Sequence, residues 1–285
     1  MTALSFADIT DDDVRAVRQT HPQVFGDPLM RMVRIASWTI VIGYLLYSFH
    51  LFEFAKIFDS SERAWRLVSR IFYWQDMASW HYDQIYVGIA QTVAMAFLGT
   101  FLGTIFALGI GFLAAKNTMP FGVIRHAVRR LLDVFRGIDG VVWGLVFVRA
   151  VGLGPLAGVL AIWISDVGNL SKLYSEAIEN IDRKQVEGVR ATGADPARII
   201  RYGYLPQIFP VFLSLSLYSF ESSTRSATIL GLVGAGGVGM IIIERFRAGM
   251  FDQVAFVVLN ILIVIAVIDW GSGLIRKRFI GERGH

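Results

Sequence analysis

Long apolar runs alternate with short charged segments along this chain. Each of six runs meets or approaches the roughly 20 residues that a helix needs to cross a hydrocarbon core of ~30 Å. The runs cover residues 32–53, 85–115, 137–153, 155–171, 207–233 and 253–275. The pattern predicts an all-α membrane protein with six transmembrane helices.

The composition agrees with a membrane location. Hydrophobic residues make up 54% of the 285 residues and charged residues only 18%. With no cysteine and five scattered histidines, the chain offers no metal site, and we expect no cofactor in it. The net charge of +4 does not indicate nucleic-acid binding, because the basic residues separate apolar runs instead of forming one face.

Basic residues predict the orientation, since Lys and Arg near span ends are retained on the cytosolic side. Of the 27 Lys and Arg, 19 lie in segments on one side of the predicted spans and six in segments on the other. The richer segments are 1–34, 116–136, 172–201 and 276–283, and the poorer ones are 56–70 and 245–247. Both termini are therefore expected in the cytosol, with the chain in the cytoplasmic membrane.

The predicted organisation has four parts: a cytosolic tail (1–31), a first transmembrane helix (32–53), an extracytoplasmic amphipathic segment (54–84) and a core (85–278). A secretory signal is the alternative for the first run, but its leader is long and no small-residue cleavage site follows. The amphipathic segment has Trp65, Trp74 and Trp80 as interfacial anchors. It either lies on the outer membrane face or also receives a soluble partner.

Small residues predict close packing or tight turns at three places. Gly99, Gly103, Ala107 and Gly111 recur every fourth position, a spacing that lets membrane helices approach closely. The dipeptide Gly154-Pro155 predicts a tight hairpin. A third glycine-rich run, residues 231–239, lacks the strand and the Lys of nucleotide-binding motifs, so we interpret it as tightly packed backbone.

Residues 172–206 hold eleven charged side chains between two apolar runs. A helix is predicted from about Leu173 to Thr192, followed by Gly193 as a left-handed cap. Asp195 is then the N-cap of a second helix, with Pro196 at its first position. Two helices joined at a sharp corner should result.

The same loop carries a family resemblance. Glu187, Gly193, Leu205 and Pro206 fit the cytoplasmic signature of bacterial ABC importer permeases, which reads Glu-Ala-Ala, three residues, Gly, nine residues, Ile, one residue, Leu-Pro. Gly188, Val189 and Gly203 depart from it. The runs VEGVRATGAD (186–195), VGLGPLAGVLA (151–161) and RSATILGLVGAGGVG (225–239) resemble the phosphonate-uptake branch of these permeases.

The resemblance implies an importer-permease core of five helices preceded by one extra N-terminal helix. It implies a homodimer, with each loop's short helix docked on a cytosolic ABC ATPase dimer that binds ATP and Mg. An extracytoplasmic substrate-binding protein would deliver the cargo. The chain itself would be a transport subunit and not an enzyme. The residues expected to couple it to the ATPase are Glu187, Gly188, Val189, Arg190, Ala191, Thr192, Gly193 and Ala194.

Ionisable groups within predicted spans usually face a partner or a water-filled path. Glu221, Arg225 and Ser226 share one stretch of a span and are candidate path residues; a structural Glu221–Arg225 pair is the alternative. Arg149 either steers anions or extends to the interface. Asp166 and Asn169 are expected to hydrogen-bond between helices.

The function predicted is import of phosphonate-type anions by alternating access. The alternatives are a phosphite or hypophosphite importer and, from a different class, a stand-alone ion-coupled transporter. An intramembrane hydrolase is not supported, since no Ser-His-Asp ordering or His-Glu-x-x-His sequence is present.

Overall fold

The computed structural model describes residues 28–51 and 80–280 without a break, and outside them residues 10, 12, 15, 16, 65, 68, 69, 74 and 77. The chain divides into two compact units, Met1–Leu67 and Val68–His285. Every regular element among the described residues is a helix, which confirms the predicted all-α class.

The first unit contains helix α1, Pro28–Leu51. Its 24 residues give a length of about 36 Å at 1.5 Å per residue, enough to cross a ~30 Å hydrocarbon core. The helix agrees with the first predicted span. Most of the predicted tail 1–31 lies outside the described residues.

The second unit is a bundle in which long apolar helices alternate with shorter connecting helices. Its elements are α2 (Tyr82–Ala114), α3 (Gly122–Gly137), α4 (Gly140–Val151), α5 (Pro155–Glu179), α6 (Arg183–Ala191), α7 (Pro196–Ile199), a π-helical turn (Ile200–Tyr204), α8 (Leu205–Leu232), α9 (Val238–Arg247) and α10 (Phe251–Ile280). Among the described helices, α1, α2, α5 and α10 are long and apolar enough to cross a membrane.

The small-residue stripe of α2 lies against α5, as its spacing predicts. A Cβ at Gly99 would be 2.7 Å from Ile162 Cβ, and one at Gly103 would be 2.7 Å from Asp166 Cβ. Ala107 and Gly111 continue the contact and are fully or nearly buried. At Gly99 and Gly103 only glycine allows the two backbones this close, so the stripe sets the distance between α2 and α5.

The span predicted over residues 137–153 is wrong in its bounds. Helix α4 has 12 residues, about 18 Å, and is too short to cross the hydrocarbon core by itself. It is preceded by α3, whose four Arg hide it from a search for apolar runs. The two helices are separated by extended residues Ile138 and Asp139, and Asp139 accepts a hydrogen bond of 2.8 Å from Val141 N as the N-cap of α4.

The glycine turns pack as the sequence predicts. Gly152 and Gly154 have φ of 93° and 138°, and Pro155 begins α5, which confirms the hairpin. Gly154 N donates to Gly234 O at 3.1 Å, so the hairpin contacts the glycine-rich run 231–239. Gly237 in that run lies against Thr92 and Met95 of α2.

The predicted helix from Leu173 to Thr192 is interrupted. Helix α5 ends at Glu179, and α6 begins at Arg183 after Asp182. The Asp182 side chain accepts from Lys184 N at 3.0 Å, which favours a new helix start over continuation of the old one.

The predicted amphipathic segment 54–84 falls mostly outside the described residues. Of its anchors, Trp74 and Trp80 have ring centroids 5.8 Å and 5.3 Å from that of Phe256 in α10. Trp80 is buried. The interfacial position of this segment stays a prediction.

Candidate functional site

The elbow, defined as residues 180–196, connects α5 to α7 through α6 and is fixed by local hydrogen bonds. Asp182 caps α6, and Asp195 accepts from Arg198 N at 2.9 Å to cap α7. Between them Gly193 has a φ of +77°, and its N–H donates to Arg190 O at 3.0 Å. A left-handed residue reverses the chain at the end of α6, and glycine adopts this conformation without a Cβ clash.

One apolar side chain anchors the elbow to the bundle. Val186 of α6 is buried, in a cluster with Tyr174 of α5 and with Tyr204, Ile208 and Phe212. Gly203, which replaces the isoleucine of the family signature, lies beneath it. A Cβ at Gly203 would be 3.3 Å from Val186 Cα, so the close approach of α6 requires a small residue there.

Polar side chains from neighbouring helices hold the base of the elbow, and sequence reasoning missed them. Gln207 of α8 accepts from Asp182 N at 3.0 Å and donates to Gly203 O at 2.8 Å. Asn117 donates to the carbonyls of Ile178 and Glu179, which have no partners within α5. Nothing in the local sequence distinguishes these two amides from surface residues.

Glu179, at the last turn of α5, joins three elements. Its Oε1 accepts from Lys116 N at 2.7 Å and pairs with the Arg129 guanidinium of α3. Arg129 also donates to Ala114 O at 2.9 Å, at the end of α2. The base of the elbow is therefore cross-linked to α2 and α3 as well as to α8.

The other side of α6 is open. Glu187, Gly188, Arg190 and Ala191 are exposed, and so are Thr192 and Gly193, whereas Val189 and Ala194 are half-buried. A groove beside them is lined by Gln185, Gly188, Val189, Thr192, Gly193, Ala194, Arg198 and Tyr202. The structure thus brings all the predicted coupling residues together on one short helix and its cap.

The candidate path residues have different ion-pair partners from those predicted. Glu221 does not pair with Arg225. It accepts from Arg276 Nη2 at 2.7 Å, and Arg225 Nη1 lies 3.4 Å from both carboxylate oxygens of Asp269. Both partners are on α10, which packs beside α8. Each candidate therefore pairs with a residue of another helix and not with the neighbouring turn of α8.

Ser226 lines a cavity of about 450 Å³ between α3, α4, α5 and α8. Glu221, Arg225 and Arg149 do not line it. Arg149 is exposed in the last turn of α4. The four candidates therefore do not form one cluster.

Two predicted interhelical hydrogen-bonding residues are confirmed. The Asp166 carboxylate is 5% exposed and accepts from Thr100 of α2 at 2.7 Å and from Ser219 and Ser223 of α8 at 2.8 and 3.2 Å. Asn169 accepts from Arg136 Nε at 3.2 Å. The hydroxyl partners were missed, although the four-residue spacing of Ser219 and Ser223 indicates one helix face.

Comparison with known proteins agrees with this arrangement. Residues 107–281 match the model of the family described as binding-protein-dependent transport system inner membrane component. The putative phosphite transport system permease protein HtxC of Stutzerimonas stutzeri is 35% identical over 88% of both chains. The putative cryptic phosphonate transport system permease protein PhnE2 of Escherichia coli is 47% identical over 43% of this chain and 100% of its own.

Among solved structures, the MetNI methionine ABC transporter in inward-facing conformations has a TM-score of 0.60. The identity is 21%, and the match covers 69% of this chain and 96% of that one, which shows a shared fold. A stand-alone ion-coupled transporter is not supported by these matches, and ATP hydrolysis in such systems belongs to a separate subunit. The chain belongs to the binding-protein-dependent inner membrane component family and is the permease subunit of an ABC importer.

Proposed function

We propose that this permease imports a phosphorus oxyanion of the phosphonate or phosphite type, driven through the elbow by an ABC ATPase. The observation that carries the proposal is the elbow: a short exposed helix, capped at both ends, whose base is tied to three neighbouring helices. A lever of this kind transmits a push on α6 into the bundle without absorbing it. The substrate class is supported by the similarity to relatives named as phosphite and phosphonate transport permeases.

The elbow is tested by Glu187→Lys, which reverses the charge of an exposed side chain on α6. Membrane insertion should be unchanged, while co-purification of the ATPase and substrate-stimulated ATP hydrolysis are lost. Glu244→Lys makes the same charge change on an exposed position of α9 and serves as the control. Full coupling in the Glu187 variant would contradict the proposed role.

The proposed topology has six spans. Five are the helices α1, α2, α5, α8 and α10, and the sixth is a broken crossing that α3 and α4 form together. The five crossings after α1 make up the core (85–278), and both termini lie in the cytosol with the loop 172–206. The basic residues of that loop and of the end of α10 support this orientation. A reporter fused after His285 should be active only in its cytosolic form.

We propose that two copies of the chain form the permease, with an ATPase dimer that binds ATP and Mg on one side and a substrate-binding protein on the other. The support is a polar strip on α8, where Tyr218, Arg225 and Ser226 are exposed. Polar groups at membrane depth face a partner or a water-filled path, so this strip suits a subunit interface around a path. Cross-linking through single cysteines at Ser226 should yield a homodimer.

Arg225 would contact the anion in that path together with Ser226, while Glu221 holds α8 to α10 and Arg149 attracts anions to the outer opening. An exposed guanidinium beside hydroxyls suits a tetrahedral oxyanion. Arg225→Ala should reduce uptake at least tenfold with the complex still assembled, and Arg225→Lys should retain part of it. Normal uptake by the alanine variant would remove Arg225 from the path.

A further inference from the structure

The cavity between α3, α4, α5 and α8 has two chemically different walls. Three charged side chains line it: Arg136, Asp139 and Asp166. Six hydroxyl groups also line it, those of Ser165, Tyr218, Ser219, Ser222, Ser223 and Ser226. The volume of about 450 Å³ is larger than a small tetrahedral anion needs, so the polar groups decide what the cavity accepts.

Three of these residues, Asp166, Ser219 and Ser223, form an acceptor wall. Ser219 and Ser223 donate their single hydroxyl hydrogens to the Asp166 carboxylate, at 2.8 and 3.2 Å. A hydroxyl has one hydrogen and two lone pairs, so both serine oxygens retain only lone pairs toward the cavity. This wall therefore repels a fully deprotonated oxyanion and favours a ligand that brings its own hydrogen-bond donor.

Two other groups of the lining, Arg136 and Ser165, offer donors. Arg136 uses Nε for Asn169, and its two Nη groups have no hydrogen bond or ion pair within residues 80–280. Ser165 Oγ is buried and has no hydrogen-bond partner within the described part of the chain. The Asp139 carboxylate accepts from Val141 N at the cap of α4. One cationic group and at least one free hydroxyl therefore line the same cavity as the acceptor wall, together with the Asp139 carboxylate.

We propose that this cavity binds the phosphorus oxyanion in its monoprotonated form. The P–OH donates to the acceptor wall of Asp166, Ser219 and Ser223, while the charged oxygens accept from Arg136 and Ser165. The inference rests on the proposed phosphorus-oxyanion cargo and adds a rule for its selection. Sulfate has no proton at neutral pH and is rejected, whereas phosphorus oxyanions keep one near their second pKa, about 6 for phosphate monoesters.

The test uses the purified permease–ATPase complex in lipid nanodiscs without the binding protein, with phosphite followed by ³¹P NMR line broadening. Phosphite should bind at least about tenfold more tightly at pH 6 than at pH 8.5, because the monoprotonated fraction falls steeply above the second pKa, and sulfate should not displace it at either pH. Equal phosphite affinity at both pH values overturns the proposal. Sulfate binding that rises equally at pH 6 also overturns it, because a group of the protein would then be responsible.

Two variants distinguish the acceptor wall from the donor groups, and a third is the control. Asp166→Asn introduces an amide donor and should remove the pH preference and admit sulfate. If this buried variant does not fold, Arg136→Gln carries the test: it should weaken phosphite about tenfold at both pH values and leave their ratio unchanged, and unaltered affinity contradicts the proposal. Asp133→Asn, on α3 outside the cavity, is the control and should change neither value.

Transport itself is measured separately, as ATP-driven phosphite uptake with the binding protein. A complex that imports phosphite but binds sulfate equally well retains the proposed function and loses this inference. A complex that imports no phosphorus oxyanion loses both.

Discussion

The elbow is rich in charged groups and the interior of the bundle in hydroxyl groups, and the aspartate side chains of the two regions form hydrogen bonds of different range. In the elbow, Asp182 bonds to a residue two positions away and Asp195 to one three positions away. In the interior, the Asp166 bonds to Thr100 and Ser219 span 66 and 53 positions. The caps of the elbow can therefore stay intact when the helices rearrange, whereas the bonds of Asp166 must change when α2, α5 and α8 move relative to one another.

The largest effect is expected from Gly193→Pro, which breaks the elbow alone. Proline fixes φ near −65°, and Gly193 requires +77°. The corner between α6 and α7 should not form, and substrate-stimulated ATP hydrolysis should fall at least about 100-fold, a loss of about 2.7 kcal/mol or more in coupling. Gly137→Ala, at the end of α3, is the control, because a Cβ there meets nothing within 4 Å and should leave hydrolysis unchanged.

The next effect concerns the interior. Gly103→Ala places a Cβ 2.7 Å from Asp166 Cβ and forces α2 away from α5, at an expected cost of about 3 kcal/mol in the free energy of unfolding. Gly109→Ala, on the same helix, meets nothing within 4 Å and should cost less than about 0.5 kcal/mol. Reversible unfolding in detergent micelles compares the two. Equal stability would mean that the stripe does not set the helix distance.

The two α8–α10 ion pairs should differ in strength. Arg276→Gln leaves the Glu221 carboxylate, whose side chain is 8% exposed, without its partner and should cost about 2 kcal/mol. Asp269→Asn affects a pair whose side chains are 47% and 42% exposed, so about 1 kcal/mol or less is expected. Thermal unfolding in micelles measures both, and the opposite order would show that exposure does not determine their strength.

The smallest effect is expected from Asp195→Ala, which removes the N-cap of α7. Such caps contribute about 1 kcal/mol, so ATPase stimulation should fall no more than about fivefold. Asp195→Asn keeps a side-chain oxygen for Arg198 N and should behave as the wild type. A loss as large as that of Gly193→Pro would mean that Asp195 itself contacts the ATPase.

The local character of the elbow explains why the sequence predicts it well. A cap, a left-handed glycine and a proline at a helix start act within a few residues, so Gly193, Asp195 and Pro196 could be assigned from their order alone. The hairpin at Gly154-Pro155 follows the same logic. The interruption at Asp182 was missed, although Asn180 and Asp182 favour helix ends over helix interiors and could have indicated it.

Interior partners could not be predicted because their choice depends on which helices are neighbours. Glu221 and Arg225 are well spaced for a pair within α8, and only the position of α10 brings Arg276 and Asp269 closer. Helix α3 was not predicted for a related reason: it is amphipathic, so its apolar side is not visible as a continuous run.

The glycine-rich turn between α8 and α9 has a consequence for reading mutational scans of this protein. A Cβ at Gly231 would lie 2.7 Å from Gly239 Cα, and Gly236 and Gly237 have φ of 81° and 70°. Nearly any replacement at these positions must displace neighbouring atoms or adopt a left-handed backbone conformation that favours glycine. Such a scan will show a block of intolerant sites with the profile of a ligand pocket, although backbone crowding alone produces it.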